Sequence, residues 1–287
     1  MKDEDFINTS MKTFSQYLEE KLILYGQGKK YGQIVFLAGG AGSGKGFARD
    51  NFMEKEKFKI RDVDEWKTAY MKMADLQGKH PEIKGLNLKN PKDVYKIHMF
   101  IKKLGIKDKS LDIMLADSNT DRLPNIMFDI TMKDVSDIGD IIPKLEKAGY
   151  DSKNIHLTWV LTDYSVAIIN NRSRDRVVPE DIMLLSHEGA ATSMYGVIKG
   201  KLPRGLNGGV RVVLNNRENT IPYVDPKTKK KVKTKTGNII VTDFTYLTFK
   251  KEGKTIAPEA DVKKEVMGWI AANVPKTKLT KDFSYSE

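Results

Sequence analysis

Residues 37–50 read LAGGAGSGKGFARD. The stretch holds a G-x-x-x-x-G-K pattern, with Gly39, Gly44 and Lys45 at its fixed positions. In such a loop the glycines let successive backbone N–H groups turn inward around an anion. The lysine reaches the terminal phosphates of a nucleotide, and the next residue is usually Ser or Thr, whose hydroxyl binds Mg²⁺. Here that residue is Gly46, and Phe47 follows. Directly upstream, Ile34-Val35-Phe36-Leu37 is an unbroken apolar run, the form of a buried parallel strand. Downstream, 47–55 suits a helix, whose positive N-terminal end favours an anion. Strand, glycine loop and helix together predict a phosphate loop formed by Gly39, Gly40, Ala41, Gly42, Ser43, Gly44, Lys45, Gly46 and Phe47. Without a hydroxyl at position 46, Mg²⁺ would be held by phosphates, waters and carboxylates elsewhere.

Working outward, four further strands are predicted at 58–63, 125–130, 155–161 and 210–214, with helical stretches between the later ones. This βαβα alternation predicts an α/β fold, a parallel sheet with flanking helices. The stretch 65–121 is long for a crossover. It reads as an insertion of about three helices broken near His80-Pro81 and Asn90-Pro91, and such insertions commonly carry substrate contacts. Residues 10–25 read as an amphipathic helix, with Phe14, Leu18, Leu22 and Tyr25 at helical spacing. After about residue 215 the character changes. Two β segments surround a lysine-rich turn, and a final helix is predicted at 258–273. The expected division is a core at 1–215 and a small basic β-rich appendage at 216–287.

Composition narrows the chemistry. The chain has no cysteine, which excludes disulfides, thiolate metal sites and cysteine nucleophiles and suits a cytoplasmic location. The four histidines, His80, His98, His156 and His187, lack metal-site spacing. No apolar run has the roughly 20 residues needed to span a membrane, and the polar, acidic start is unlike a secretory signal. The net charge is +11. From Gly200 onward there are 18 Lys and Arg against 9 Asp and Glu, so nearly all the excess lies in the last third. That asymmetry admits two readings, contact with nucleic acid or another polyanion, and a solvated lysine surface.

Three other stretches carry candidate chemistry. In FKIRDVDEWK, Asp62 and Asp64 are expected at the end of a strand beside the first, side chains alternating so that both point the same way. A carboxylate there, Asp64 above Asp62, can take the proton of an attacking hydroxyl. In NIMFDITMKD, apolar residues run into Asp129, which can hold Mg²⁺ through water, while Thr131 can bind substrate or a metal water. In INNRSRDRVVPEDI, Arg172, Arg174 and Arg176 follow a helical stretch, and Arg172 and Arg176 would share a helix face. Arginines at a mobile lid suit the charge that spreads over a transferring phosphoryl group.

The loop GGAGSGKG resembles that of adenylate-kinase-like enzymes, where glycine after the lysine is usual. With DVDEWK, MFDIT and NRSRDRVVPEDI in this order, residues 30–195 resemble the zeta-toxin-like branch of P-loop kinases. The resemblance implies Lys45 at the β- and γ-phosphates, Asp64 as catalytic base, and Arg172 and Arg176 at the γ-phosphate and substrate. Asp129 and Thr131 are implied at the end of the third strand. Asp62, Thr131 and Arg174 are the candidate substrate-binding residues. It implies ATP or GTP with Mg²⁺ as donor, and a hydroxyl-bearing small molecule, of the UDP-N-acetylglucosamine type, as acceptor. A nucleic-acid hydroxyl fits the basic stretch 227–235, and a nucleoside monophosphate fits the loop. A non-catalytic nucleotide- or nucleic-acid-binding module is the competing class, and loss of the loop hydroxyl is its support. The lysine-rich style also resembles proteins encoded by large bacteriophages.

Overall fold

A computed structural model describes residues 23–26, 31–116, 122–215, 220–232, 241–254 and 268. The apolar run at 34–37 forms β1 (Ile34–Ala38), with every residue buried. Its alternating side chains feed two cores. Ile34, Phe36 and Ala38 enter one, while Val35 and Leu37 enter the other. Burying each large apolar side chain contributes about 1.5–3 kcal/mol, so this strand anchors both faces of the sheet.

The chain then runs through α1 (Lys45–Phe52), β2 (Lys59–Asp62), α2 (Val63–Gln77), α3 (Pro91–Lys103) and α4 (Ile106–Ala116). It continues with β3 (Ile126–Ile130), α5 (Ser136–Gly139), α6 (Ile142–Lys147), β4 (Ile155–Leu161), α7 (Tyr164–Arg172) and α8 (Glu180–Ile198). The last elements are β5 (Val210–Leu214), β6 (Thr220–Pro222) and β7 (Val241–Lys250). The sheet order is β2-β3-β1-β4-β5-β7-β6. The strands from β2 to β5 are parallel, with Leu37 opposite Asp129 on one side and Thr158 on the other. The connections leave β1 toward β2 and β3 on one side and reach β4 on the other. This reversal opens a crevice at the carboxyl end of β1, where open parallel sheets bind ligands.

Two expectations about Asp62 and Asp64 change. The strand carrying Asp62 pairs with β3 and does not lie beside β1. It also stops at Asp62, because Val63 begins a helix, so strand alternation does not relate the two carboxylates.

The insertion packs as a small core of its own, built on Met71, Ala74, Ile83, Ile97, Ile101 and Ile106. Gly78, at φ 65°, ends α2. Asn90 caps α3 by accepting the N–H of Lys92 at 3.0 Å, with Pro91 in the first turn. The breaks read from His80-Pro81 and Asn90-Pro91 therefore mark real helix boundaries.

The fold is a mostly parallel sheet flanked by helices, with a small β-rich extension. That extension continues the main sheet: β7 pairs antiparallel with β5, and β6 with β7. The predicted N-terminal helix lies outside the described residues up to 22. At residue 23 the chain is extended, Ile23 bridging to Met53. The predicted helix at 258–273 lies outside the described residues apart from Gly268, and the basic turn is described through Val232. Among the described residues, no helix is long and apolar enough to cross a membrane.

Candidate active site

The glycine loop leaves β1 and wraps into α1. Gly42 and Gly44 adopt φ 74° and 86°, conformations that other residues rarely take. A Cβ at Gly42 would also collide with the Ala167 carbonyl, and one at Gly44 with the Asn215 amide. Gly44 caps α1 without a side-chain acceptor, so the first-turn N–H groups remain available to an anion. The back of the loop is held by neighbouring strand ends: the Ser43 carbonyl accepts the Thr162 hydroxyl at 2.9 Å and the Asn215 amide at 2.8 Å. His187 Nε2–H donates to the Ala41 carbonyl at 2.6 Å, and its ring would block a Cβ at Gly40. Burial pushes this histidine down to about 4, so it is neutral at physiological pH. Position 46 is different. A Cβ there would meet only Arg49, at 4.0 Å.

Lys45 folds back over the loop. Its ammonium donates to the Gly39 carbonyl at 2.8 Å and lies 3.6 Å from Asp129 at the end of β3. A cleft of about 1170 Å³ opens in front of it. Asp62, Asp64, Asp129, Thr131, Arg174 and Arg176 line this cleft together with the loop from Ala41 to Phe47.

The two carboxylates from the β2–α2 junction behave differently. Asp62 caps α2, accepting the Asp64 N–H at 2.8 Å. Burial, then the neighbouring Asp129 and Asp64, push its carboxyl up to about 6. Asp64 sits in the first helical turn. Its Oδ1 lies 2.6 Å from Lys67 and its Oδ2 2.5 Å from Arg176. Burial alone would raise its carboxyl, but Arg176, Lys67 and Lys45 outweigh it and hold Asp64 below the ordinary carboxylate range.

The arginines are sorted by the end of α7. The helix stops at Arg172, so helical spacing does not carry on to Arg176. Arg172 turns to the surface and pairs with Glu180 at 2.5 Å, while Arg174 and Arg176 face the cleft. The loop between is bracketed by Asn171, whose side chain donates to the Val178 carbonyl at 2.8 Å and accepts its N–H at 3.0 Å. Burial and Arg176 lower the Arg174 guanidinium below its ordinary value, and the Arg176 Nε is buried without a partner among the described residues.

Sequence reasoning missed several lining residues. Lys67 and His98 come from the insertion, on α2 and α3. Lys67 is legible once α2 is known to begin at Val63, because it then lies one turn after Asp64. Asn170, Ser186 and Asn215 also line the cleft. Nothing local in the sequence marks them.

The loop-and-lysine arrangement implies Mg²⁺. Among the described residues, no group of three or more His, Cys, Asp or Glu is placed to hold a metal alone. Asp62 and Asp129 nonetheless lie opposite one another on adjacent strands at the cleft floor. A divalent cation would relieve their repulsion. The donor set suits an ion held mainly by phosphates and waters, with Asp129 as a carboxylate contact.

The family model described as zeta toxin matches residues 17–204. No curated protein matches the chain. Among solved structures, the AvrRxo1-ORF1:-ORF2 complex in its native form is 12% identical. The likeness covers 93% of this chain and 77% of that one, with a TM-score of 0.52. The same complex with ATP is 12% identical, covering 92% and 68%, with a TM-score of 0.50. The PezAT chromosomal toxin-antitoxin system of Streptococcus pneumoniae is 12% identical, covering 71% and 76%, with a TM-score of 0.42.

Proposed function

The chain belongs to the zeta toxin family, and from that membership and the cleft we propose that it is an ATP-dependent kinase. It transfers the γ-phosphate to a hydroxyl of a small-molecule acceptor of the UDP-N-acetylglucosamine type. The observation that carries this reading is convergence: Lys45, Asp64, Asp129, Arg174 and Arg176, from four separate stretches, line one cleft at the carboxyl ends of the strands. Six cationic side chains line it against four carboxylates, an excess that favours a polyanionic donor. The fold shared with a complex solved with ATP supports a nucleoside triphosphate as that donor.

The loop amides and Lys45 bind the β- and γ-phosphates. Asp129, with Thr131 beside it in the cleft, would hold Mg²⁺, which would supply neutralisation of charge on the phosphate oxygens. Asp64 is the base, ionised at neutral pH because Arg176 and Lys67 flank it. Arg176 has a second task. Moving from Asp64 Oδ2 onto the transferring phosphoryl group, it exposes that oxygen to the acceptor hydroxyl. It also withdraws the strongest of the charges that depress Asp64, so the base strengthens as the acceptor's proton must leave. Arg174 supports the same oxygens. Asp62 keeps Asp64 in place through its N–H and contacts the acceptor. Lys67 and His98 extend the acceptor side of the cleft.

A nucleic-acid hydroxyl is the second reading, favoured by the exposed Lys227, Lys229 and Lys230 of the β extension. Incubation with γ-labelled ATP or GTP and, separately, UDP-N-acetylglucosamine, single-stranded DNA and RNA tests both. The expected result is label on the nucleotide sugar, with a rate that changes little between about 50 and 200 mM salt. Label on nucleic acid alone, with a steep fall over that range, would replace the first reading with the second. No transfer and no hydrolysis with any acceptor would leave only a binding module.

A further inference from the structure

One wall of the cleft has no part in the chemistry above. Pro222 and Lys231 line the same cavity as Lys45, Gly46, Phe47 and Asn215. They belong to the hairpin at 221–232, which is firmly built. The Asp225 carboxylate accepts the N–H groups of Lys227 at 2.7 Å and Thr228 at 2.9 Å. The Asp225 N–H donates to the Lys230 carbonyl at 3.0 Å, and that of Val232 to the Tyr223 carbonyl at 3.0 Å. Lys229 closes the turn at φ 56°. Val224 and Lys231 are antiparallel bridge partners. Such partners point to the same face, and neighbours along each strand alternate. Pro222, Val224 and Lys231 thus share the face turned to the cleft, while Lys230 takes the other.

The sheet order decides what this wall meets. Asp64 and Asp129 lie on the β2–β3 side of β1, where Arg176 joins them through its pair with Asp64, whereas Asn215 and the hairpin follow β5 on the opposite side. A donor whose γ-phosphate points at Asp64 past Lys45 extends its α-phosphate and nucleoside toward β5. We propose that the hairpin walls the nucleoside end of the donor, with Lys231 presenting a positive charge to the α-phosphate and Pro222 an apolar surface to the base. This rests on the kinase reading of the cleft.

Equilibrium binding of ATP and AMP to the full chain, by titration calorimetry at low salt, tests it. Wild type is compared with Lys231→Glu, the opposite-face control Lys230→Glu, and Lys45→Ala. Lys231→Glu is expected to weaken ATP and AMP alike, by roughly tenfold, and Lys230→Glu by less than about twofold. Lys45→Ala should weaken ATP far more than AMP. If Lys231→Glu matches Lys230→Glu while Lys45→Ala still weakens ATP, the hairpin assignment falls and the kinase reading stands. If Lys231→Glu weakens ATP but not AMP, Lys231 faces the terminal phosphates, and the assignment to the nucleoside end is wrong. If wild type binds neither ATP nor AMP, both fall. Lys231 is exposed, so unchanged thermal unfolding of the variant is expected and checks that charge alone was altered.

Discussion

The glycines of the loop are not equivalent. At Gly42 the backbone is left-handed and the Ala167 carbonyl occupies the space of a Cβ. Gly42→Ala should therefore destabilise the fold by about 1–3 kcal/mol in denaturant unfolding. At Gly46 the space is open, so Gly46→Ser should change stability by no more than about 0.5 kcal/mol. The new hydroxyl stands where the G-x-x-x-x-G-K-[ST] pattern places its Mg²⁺ ligand, and a lower Mg²⁺ concentration for half-maximal transfer is the expected consequence. The absent hydroxyl is thus a chemical choice that the loop's packing does not impose. The arginines separate in the same way. Arg176→Ala removes the partner of Asp64 and should lower transfer by about 10³-fold or more. Arg172→Ala removes an exposed ion pair, worth at most about 1 kcal/mol, and should leave kcat within a few-fold of wild type. Steady-state kinetics of the two variants side by side decides between the sorted arrangement and an Arg172–Arg176 pair.

Among the elements, sequence and structure diverge at the edges of helices, not in the insertion, whose three helices and breaks were legible. The strands at 34–38 and 155–161 were legible because each is buried on both faces and so reads as a mostly apolar stretch. The loop was legible because only glycine fits at φ 74° and 86°. Helix phase was not legible at the edges. Asp62 and Asp64 read as strand neighbours, yet a helix begins between them, and Arg172 and Arg176 read as one helical face, yet α7 ends at the first of them. His187 and Asn215 were silent because they act on the loop from 146 and 172 residues away along the chain, through contacts that only the folded sheet creates. Lys67 is the element-scale test. It reaches Asp64 from one turn along α2 and lines the cleft, on the side assigned to the acceptor in the proposed mechanism. Lys67→Met should lower transfer at least about tenfold while leaving the Kd for ATP unchanged, since the donor is held by the loop on the far side of Asp64. Equal loss of ATP binding would mean that the insertion supports the donor site instead.

At the scale of the whole molecule, two buried histidines make stability depend on pH. His187 is pushed down to about 4 and His156 to about 3, each by burial first. His156 is fixed as the Nε2–H tautomer, donating to Gln33 at 2.9 Å and accepting the Gly209 N–H on Nδ1 at 2.9 Å. Both rings stay neutral in the folded chain where the unfolded chain already binds protons. Stability from this source is complete above about pH 6.5, the ordinary histidine value, and is lost as pH falls toward the folded values. For His187 alone the loss reaches about 3 kcal/mol. Unfolding midpoints measured from pH 7 to 5 should fall steadily, and His187→Gln should flatten the slope. The sheet that buries these rings also gathers the charged cleft at its carboxyl edge, and the kinase reading rests on that cleft. Its most direct test pairs transfer with binding for a single change, Asp64→Ala. Phosphate transfer from labelled ATP should be abolished while the Kd for ATP stays within about twofold of wild type, because in the proposed mechanism the base acts on the acceptor and Lys45 with the loop holds the donor. Transfer at the wild-type rate by the Asp64→Ala variant would contradict it.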